Sequence, residues 1–114
     1  MINEKEIMDI IVNGGDARSS SIKALKLARE GRWEEAEKLM ERAKENLTKA
    51  HNVQTKLIQS EIRGEGIEIS LLMVHAQDHL MNAITVMDLT SEMLQDQKKI
   101  RRLEKMIEGV TINV

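Results

Sequence analysis

An all-α fold, built as one antiparallel three-helix bundle, is what the sequence predicts, and three observations carry it. Proline is absent, so no residue forces a helix to break internally. Phe and Tyr are absent too, while Ala, Leu, Glu, Lys, Met and Gln dominate, a bias that favours helices over strands. Interruptions at Gly31 and at Arg63-Gly64-Glu65-Gly66 then divide the apolar periodicity into three runs. With 114 residues, 41% of them hydrophobic, the chain suits a single domain over 1–114 with a core that partner chains could enlarge.

The first helix is expected over about 4–30. Ile7, Ile10, Ile11, Gly14, Ala17, Ser21, Leu25 and Ala28 recur every three or four residues and draw one apolar stripe. Gly14-Gly15 inside it costs roughly 1 kcal/mol per glycine relative to alanine. Close approach of another helix across Gly14, Ala17 and Ser21 would offset that cost; a break in the helix is the alternative. Arg18 is placed to pair with a carboxylate or a phosphate, or to stand free on the surface.

Gly31 is a natural left-handed cap, and the second helix follows over about 32–63. Its seam reads Ala36, Met40, Ala43, Leu47, Ala50, Gln54, Leu57 and Glu61, alternating spacings of four and three. Charged residues from Glu34 to Glu45 fill the other, solvated positions. Trp33, the only aromatic residue among Phe, Tyr and Trp, is expected to pack at the turn, with ligand stacking as the alternative. His51 and Gln54 lie near the seam and are expected to hydrogen-bond within the bundle.

The Arg63–Gly66 stretch reads as a loop, since no phosphate-cradling GxxxxGK pattern follows it. Ile67 and Ile69 lead to Ser70, a candidate N-cap for a third helix over about 70–108. Lys98, Lys99, Arg101, Arg102 and Lys105 gather near its negative end, so the helix dipole accounts for them before any anionic partner does. Gly109 is expected to end the helix and to leave a flexible tail over 109–114.

This third helix carries the chemistry. Met73, Ala76, Leu80, Ala83, Ile84, Met87 and Leu94 fall on one side, while Leu71, Val86, Leu89 and Met93 lie within about 40° of the His75 direction on another. One subunit cannot easily cover both sides, which points to oligomerisation about the second stripe; a wide monomer core is the alternative. His75, Asp78 and His79 stand three and four residues apart within Leu71–Met81, so they share a helical face amid Leu, Met and Val.

Composition excludes several classes. There is no cysteine, hence no disulfide framework and no thiolate metal site. No run approaches the ~20 apolar residues of a bilayer span, and the start lacks a basic-then-apolar leader, so a soluble, cytoplasmic protein without direct membrane insertion is expected. A net charge of −2, from 17 basic and 19 acidic residues, argues against nucleic acid.

Val74-His75-Ala76-Gln77-Asp78-His79-Leu80-Met81, together with Gly15-Asp16-Ala17-Arg18-Ser19 and Ala50-His51-Asn52-Val53-Gln54-Thr55, resembles the lactose/cellobiose (lactose / N,N'-diacetylchitobiose) class of enzyme IIA components of the bacterial phosphoenolpyruvate-dependent sugar phosphotransferase system. The resemblance covers nearly the whole chain as a single type-3 IIA domain; the tail after Met106 lies outside it. It implies a spectrin-repeat-like three-helix subunit in a nine-helix homotrimer. It also implies that His75 is the phosphorylated nucleophile, with Gln77 and His79 lining the phosphoryl site. Asp78, one from each subunit, would hold a structural divalent metal, Mg²⁺ by its hard oxygen ligands, on the trimer axis. The implied donor is the phosphorylated histidine phosphocarrier protein and the implied acceptor a cysteine of the cognate IIB component.

The residues suit those roles. A neutral imidazole attacks phosphorus with one nitrogen while the other keeps its proton, so His75 needs no separate base. Gln77 and His79 can donate to the added phosphoryl oxygens, and an ionised Asp78 cannot. Two other readings stay open. A metallohydrolase would use His75 and His79 as ligands, although Ala76 stands where an HExxH enzyme has its glutamate. A non-enzymatic helical scaffold is suggested by Gly31–Ala36, which looks like part of a tetratricopeptide pair, although no second 34-residue repeat is visible. Val74 and Ala76 around the histidine, in place of methionine and glycine, lean towards a cellobiose- or chitobiose-like β-linked disaccharide, with lactose as the other possibility.

Overall fold

The computed structural model describes residues 4–66 and 68–112, and within them three helices: α1 (Glu4–Arg29), α2 (Trp33–Ile62) and α3 (Leu71–Ile112). Ile67 lies outside the described residues, as do 113–114 of the expected tail. Both turns are built by glycine. Gly31 has φ 83°, with the Arg32 N–H on Leu27 O at 2.9 Å and the Gly31 N–H on Ala28 O at 3.0 Å. Gly64 repeats the device at φ 82°, with Glu65 N–H on Ser60 O and Gly64 N–H on Glu61 O, both at 3.0 Å. These Schellman pairs satisfy the last carbonyls of α1 and α2 and reverse the chain. Arg32, at the start of α2, makes no side-chain cap; it pairs instead with Glu35, whose carboxyl it holds below the usual range, chiefly through their hydrogen bond. Glu34 and Glu35 also favour the positive end of the helix dipole.

Contacts between heights give the topology. Gly14 of α1 lies against the backbone of His79 and Leu80 in α3, Gln54 of α2 reaches Gln77 of α3, and Trp33 at the start of α2 sits under Lys98 of α3. Thus α1 and α3 run the same way and α2 runs against them. The core is rich in alanine: Ala17, Ala43, Ala50, Ala76 and Ala83 are fully or almost fully buried, Ile10 and Leu80 are its largest fully buried hydrophobic side chains, and Ile7, Leu47, Leu57 and Met73 complete it. Small residues let the axes approach closely, so the bundle is slender, 72 × 21 × 20 Å.

At Gly14 an added Cβ would stand 3.4 Å from the His79 carbonyl oxygen, whereas at Gly15 it would meet nothing within 4 Å. Helix α1 is continuous through both glycines; of the two only Gly14 makes the expected close approach, and Ala17 and Ser21, both fully buried, continue that packed face. Ala24 is buried and Leu25 only half-buried, a small rotation of the expected stripe. On α2, Gln54 takes its place in the bundle, but His51 is exposed: its ring points to solvent, and its carbonyl accepts the Thr55 hydroxyl at 2.9 Å. Trp33 packs beside Ala24, Ala28 and Ala36, with Lys98 Nζ 5.9 Å from its ring centre, as expected at a turn.

Helix α3 continues past the expected end near Glu108. It passes through Gly109 to Ile112, because this glycine does not adopt the positive φ that would cap a helix. A glycine interior to a helix costs only about 1 kcal/mol, and the helix-forming residues around it absorb that. Past Lys98, which lies over Trp33, Arg101, Arg102 and Lys105 still line one cavity with Trp33 and Glu37, and α3 then runs on to Ile112 beyond the α1–α2 turn, at about 1.5 Å per residue. No helix among the described residues is long and apolar enough to cross a membrane.

Candidate functional site

Ser70 sets the phase of α3. Its hydroxyl accepts the Met73 N–H at 3.1 Å, the N-cap expected from the sequence. Met73, Ala76, Leu80 and Ala83 then face the core, and Ile84, Met87 and Leu94 continue that side half-buried. The other apolar side is largely open: Leu71, Leu89 and Met93 are exposed, and of the expected stripe only Val86 is half-buried. The subunit's own helices thus leave the second stripe to solvent, and the wide-monomer-core alternative is set aside.

On the flank of that stripe, His75 and His79 meet. Their Nε2 atoms are 3.1 Å apart, and the rings stand edge to face with centres at 4.5 Å. One nitrogen must donate. With His79 as donor, His75 keeps its proton on Nδ1 and has a lone pair on Nε2, the arrangement a nucleophile requires. His75 is exposed and His79 half-buried, so the inner ring can brace the outer one.

Asp78 lies between them along the chain but does not join them. It is exposed and makes no hydrogen bond or ion pair among the described residues. Nor does any group of three His, Cys, Asp or Glu able to hold a metal occur within the described chain. One free carboxylate per chain is too little for a hard cation, which takes six or more oxygens, but three copies around an axis would fit.

Gln77 is placed away from His75. Residues two apart stand roughly 200° around a helix, and Gln77 Oε1 accepts a hydrogen bond from Gln54 Nε2 at 2.6 Å. Within one chain, therefore, Gln77 belongs to the α2–α3 seam and does not share the histidine face. Arg18 is exposed; the arginine that engages the carboxylate of Asp16, in the same stretch of α1, is Arg42, with Nε and Nη2 each 3.1 Å from an oxygen of Asp16. Asn46 donates to the same carboxylate. That cluster fastens α1 to α2 beside the Gly14 contact under His79. Sequence reasoning missed it, since nothing in local spacing links residue 16 to residues 42 and 46.

A family model described as the lactose/cellobiose-specific IIA subunit of the sugar phosphotransferase system matches residues 5–98. The lichenan-specific phosphotransferase enzyme IIA component of Bacillus subtilis is 52% identical over 97 residues, covering 85% of this chain and 88% of that protein. The crystal structure of the cellobiose-specific enzyme IIA from Bacillus anthracis superposes with a TM-score of 0.83 at 48% identity, covering 90% of this chain and 95% of that one. In the solution structures of the chitobiose IIA–HPr complex of Escherichia coli, the matched chain gives a TM-score of 0.74 at 37% identity, over 86% of this chain and 95% of that one.

Proposed function

Because the chain belongs to the lactose/cellobiose-specific IIA family of the sugar phosphotransferase system, and so is a phosphotransferase component, we propose that it carries the phosphoryl group on His75. The observation that carries this choice is the His75–His79 pair, an exposed imidazole whose Nε2 is hydrogen-bonded to a second ring. The donor is a phosphorylated HPr, a partner suggested by the relative whose structure was solved in complex with HPr. In-line attack by Nε2 of His75 forms the new P–N bond as the donor's P–N bond breaks. A cysteine thiolate of the IIB component then attacks the same phosphorus and returns the electron pair to Nε2. Catalysis here is positioning, with His79 turning its N–H from the imidazole to a phosphoryl oxygen.

The assembly we propose is a homotrimer about the exposed stripe of α3. Leu71, Leu89 and Met93 would be covered, and Asp78 would meet its two symmetry mates. Three carboxylates on one axis repel, and a divalent cation such as Mg²⁺ would relieve them structurally, with no part in transfer. In a cyclic trimer the flank of α3 that carries His75 faces the opposite flank of the next chain, and Gln77 stands on that opposite flank. Gln77 would thus serve the phosphoryl site of its neighbour. The sugar is read as a β-linked disaccharide of the cellobiose or chitobiose kind, supported by Val74 and Ala76 and by the lichenan-, cellobiose- and chitobiose-specific relatives, with lactose as the alternative that a lactose-specific relative supports.

Intact mass after incubation with phosphoenolpyruvate, enzyme I and HPr tests the carrier role. One acid-labile phosphoryl group per chain, absent from His75→Gln although that variant keeps its helical circular dichroism, is expected. A phosphorylated His75→Gln chain would move the nucleophile elsewhere.

A further inference from the structure

Near the turn between α1 and α2, the core-facing side of α3 changes from apolar to basic, and we infer that this end of the bundle holds a second site, one that binds a phosphorylated sugar. Lys98, Arg101 and Lys105 follow Leu94 by four, seven and eleven residues, so they continue the face on which Met87 and Leu94 pack. They stand opposite the stripe assigned to the trimer. Lys98 is nine residues past Leu89 and Arg102 nine past Met93, half a turn at about 100° per residue. The site is thus separate from that stripe, and it lies roughly 34 Å along the helix from His75.

The helix dipole expected to account for these cations does not reach them, since α3 runs on to Ile112 and its last turn holds no basic residue. Their spacing is unfavourable on its own. Lys98 and Arg102, and likewise Arg101 and Lys105, are like charges four apart on one helix. Arg101 has Glu104 at 3.6 Å, with both side chains half-exposed, but Lys98, Arg102 and Lys105 make no ion pair among the described residues. An anion held between them would relieve that repulsion.

The cations line a two-lobed cleft. One lobe, about 390 Å³, is bounded by Trp33, Glu37, Lys98, Arg101, Arg102 and Lys105. The other, also about 390 Å³, shares Trp33, Glu37 and Lys98 with it and continues over Met40, Met87 and Leu94, with Ser91 and Gln95 alongside. Each falls in the range of small-molecule sites, roughly 300–1,000 Å³. The half-buried indole of Trp33 joins the lobes and offers a flat face to the C–H face of a pyranose ring. Ser91, Gln95 and the Glu37 carboxylate can hydrogen-bond the ring hydroxyls, while Arg102 and Lys105 can hold a phosphate. A nucleotide base would stack as well, but its run of phosphates would crowd Glu37, which lines both lobes. One phosphate on a polyol suits the cleft better, because a polyol also supplies hydroxyl donors to that carboxylate. In a sugar phosphotransferase such a molecule is the product of the chain of transfers, so the site would sense that product; its being a β-linked disaccharide rests on the sugar read above.

Trp33 is the one tryptophan in a chain without Phe or Tyr, so its emission reports on this cleft alone. The full chain would be titrated with cellobiose 6-phosphate, lactose 6-phosphate, cellobiose, inorganic phosphate and ATP. Beside it would run the double variant Arg102→Gln, Lys105→Gln, both changes at exposed helical positions. The expected result is a saturable change with submillimolar cellobiose 6-phosphate, with cellobiose and inorganic phosphate each weaker by about tenfold or more, and a loss of about tenfold in the double variant. That variant should still gain a phosphoryl group from HPr at the wild-type rate, so failure of the carrier role shows in the mass assay and failure of the cleft in the titration. No saturable change up to about 10 mM, or an unchanged midpoint in the double variant, would overturn the site. Inorganic phosphate binding as tightly as the sugar phosphates would overturn the sugar and leave an anion cleft, and ATP binding more tightly than either would overturn it in favour of a nucleotide. Lactose 6-phosphate as the tighter ligand would uphold the site and overturn the sugar read above.

Discussion

At the scale of residues, the two histidines and Gln77 divide the work by direction. His75 and His79 are four apart and touch; His75 and Gln77 are two apart and face opposite sides of α3. If Gln77 serves the neighbouring subunit, then chains carrying His75→Gln and chains carrying Gln77→Leu should complement each other. Each inactive His75→Gln chain supplies an intact Gln77 to an adjacent chain with an intact His75. Co-refolded mixtures are expected to phosphorylate several-fold faster than Gln77→Leu alone, read by the rate of phosphoryl mass gain. A mixture no faster than the Gln77→Leu chains it contains would place the glutamine in its own subunit. Spacing alone made the His75–His79 contact legible. The Gln54–Gln77 bond was not, because its partners are 23 residues apart and only the docking of α2 on α3 joins them.

At the scale of elements, α1 shows how one of two adjacent glycines is used. Gly14 meets α3 backbone and Gly15 meets nothing. Gly14→Leu is expected to push α1 from α3 and to destabilise by roughly 1–3 kcal/mol, the usual range for overpacking. Gly15→Ala, at a helical position with open space, should stabilise by about 0.5–1 kcal/mol through helix propensity and a less disordered unfolded chain. Urea titrations of the two variants check both signs, and a Gly14→Leu chain as stable as Gly15→Ala would remove the packing argument. The seam of α2 and the cap at Ser70 were legible from periodicity and residue type. The end of α3 was not, since Gly109 has the composition of a stop signal and lacks the left-handed backbone that makes a glycine one.

At the scale of the whole molecule, an exposed apolar stripe running the length of a 42-residue helix is the feature an isolated chain leaves unresolved. A trimer with Asp78 on its axis makes a metal test possible. Chelation should lower the melting midpoint of the wild-type assembly by about 5 °C or more, the scale of 1 kcal/mol in a domain of this size. Asp78→Asn, which removes the repulsion together with the metal's ligands, should melt at a midpoint that chelator does not move. Equal responses of the two proteins to chelator would separate Asp78 from any metal.

The sequence by itself determined the three helices, the glycine turns, the Ser70 cap, the core face of α3 and the family, because each rests on periodicity, backbone chemistry or residue identity within a few positions. Tertiary structure alone decided what depends on the direction of side chains across helices. It put Gln77 on Gln54, Asp16 on Arg42 and Asn46, and His51 in solvent. It also carried α3 past Gly109 to Ile112, where the sequence had placed a stop. The physical reason is range: helix formation is local, but which face is covered depends on the relative height and rotation of helices that pack through contacts distant in sequence.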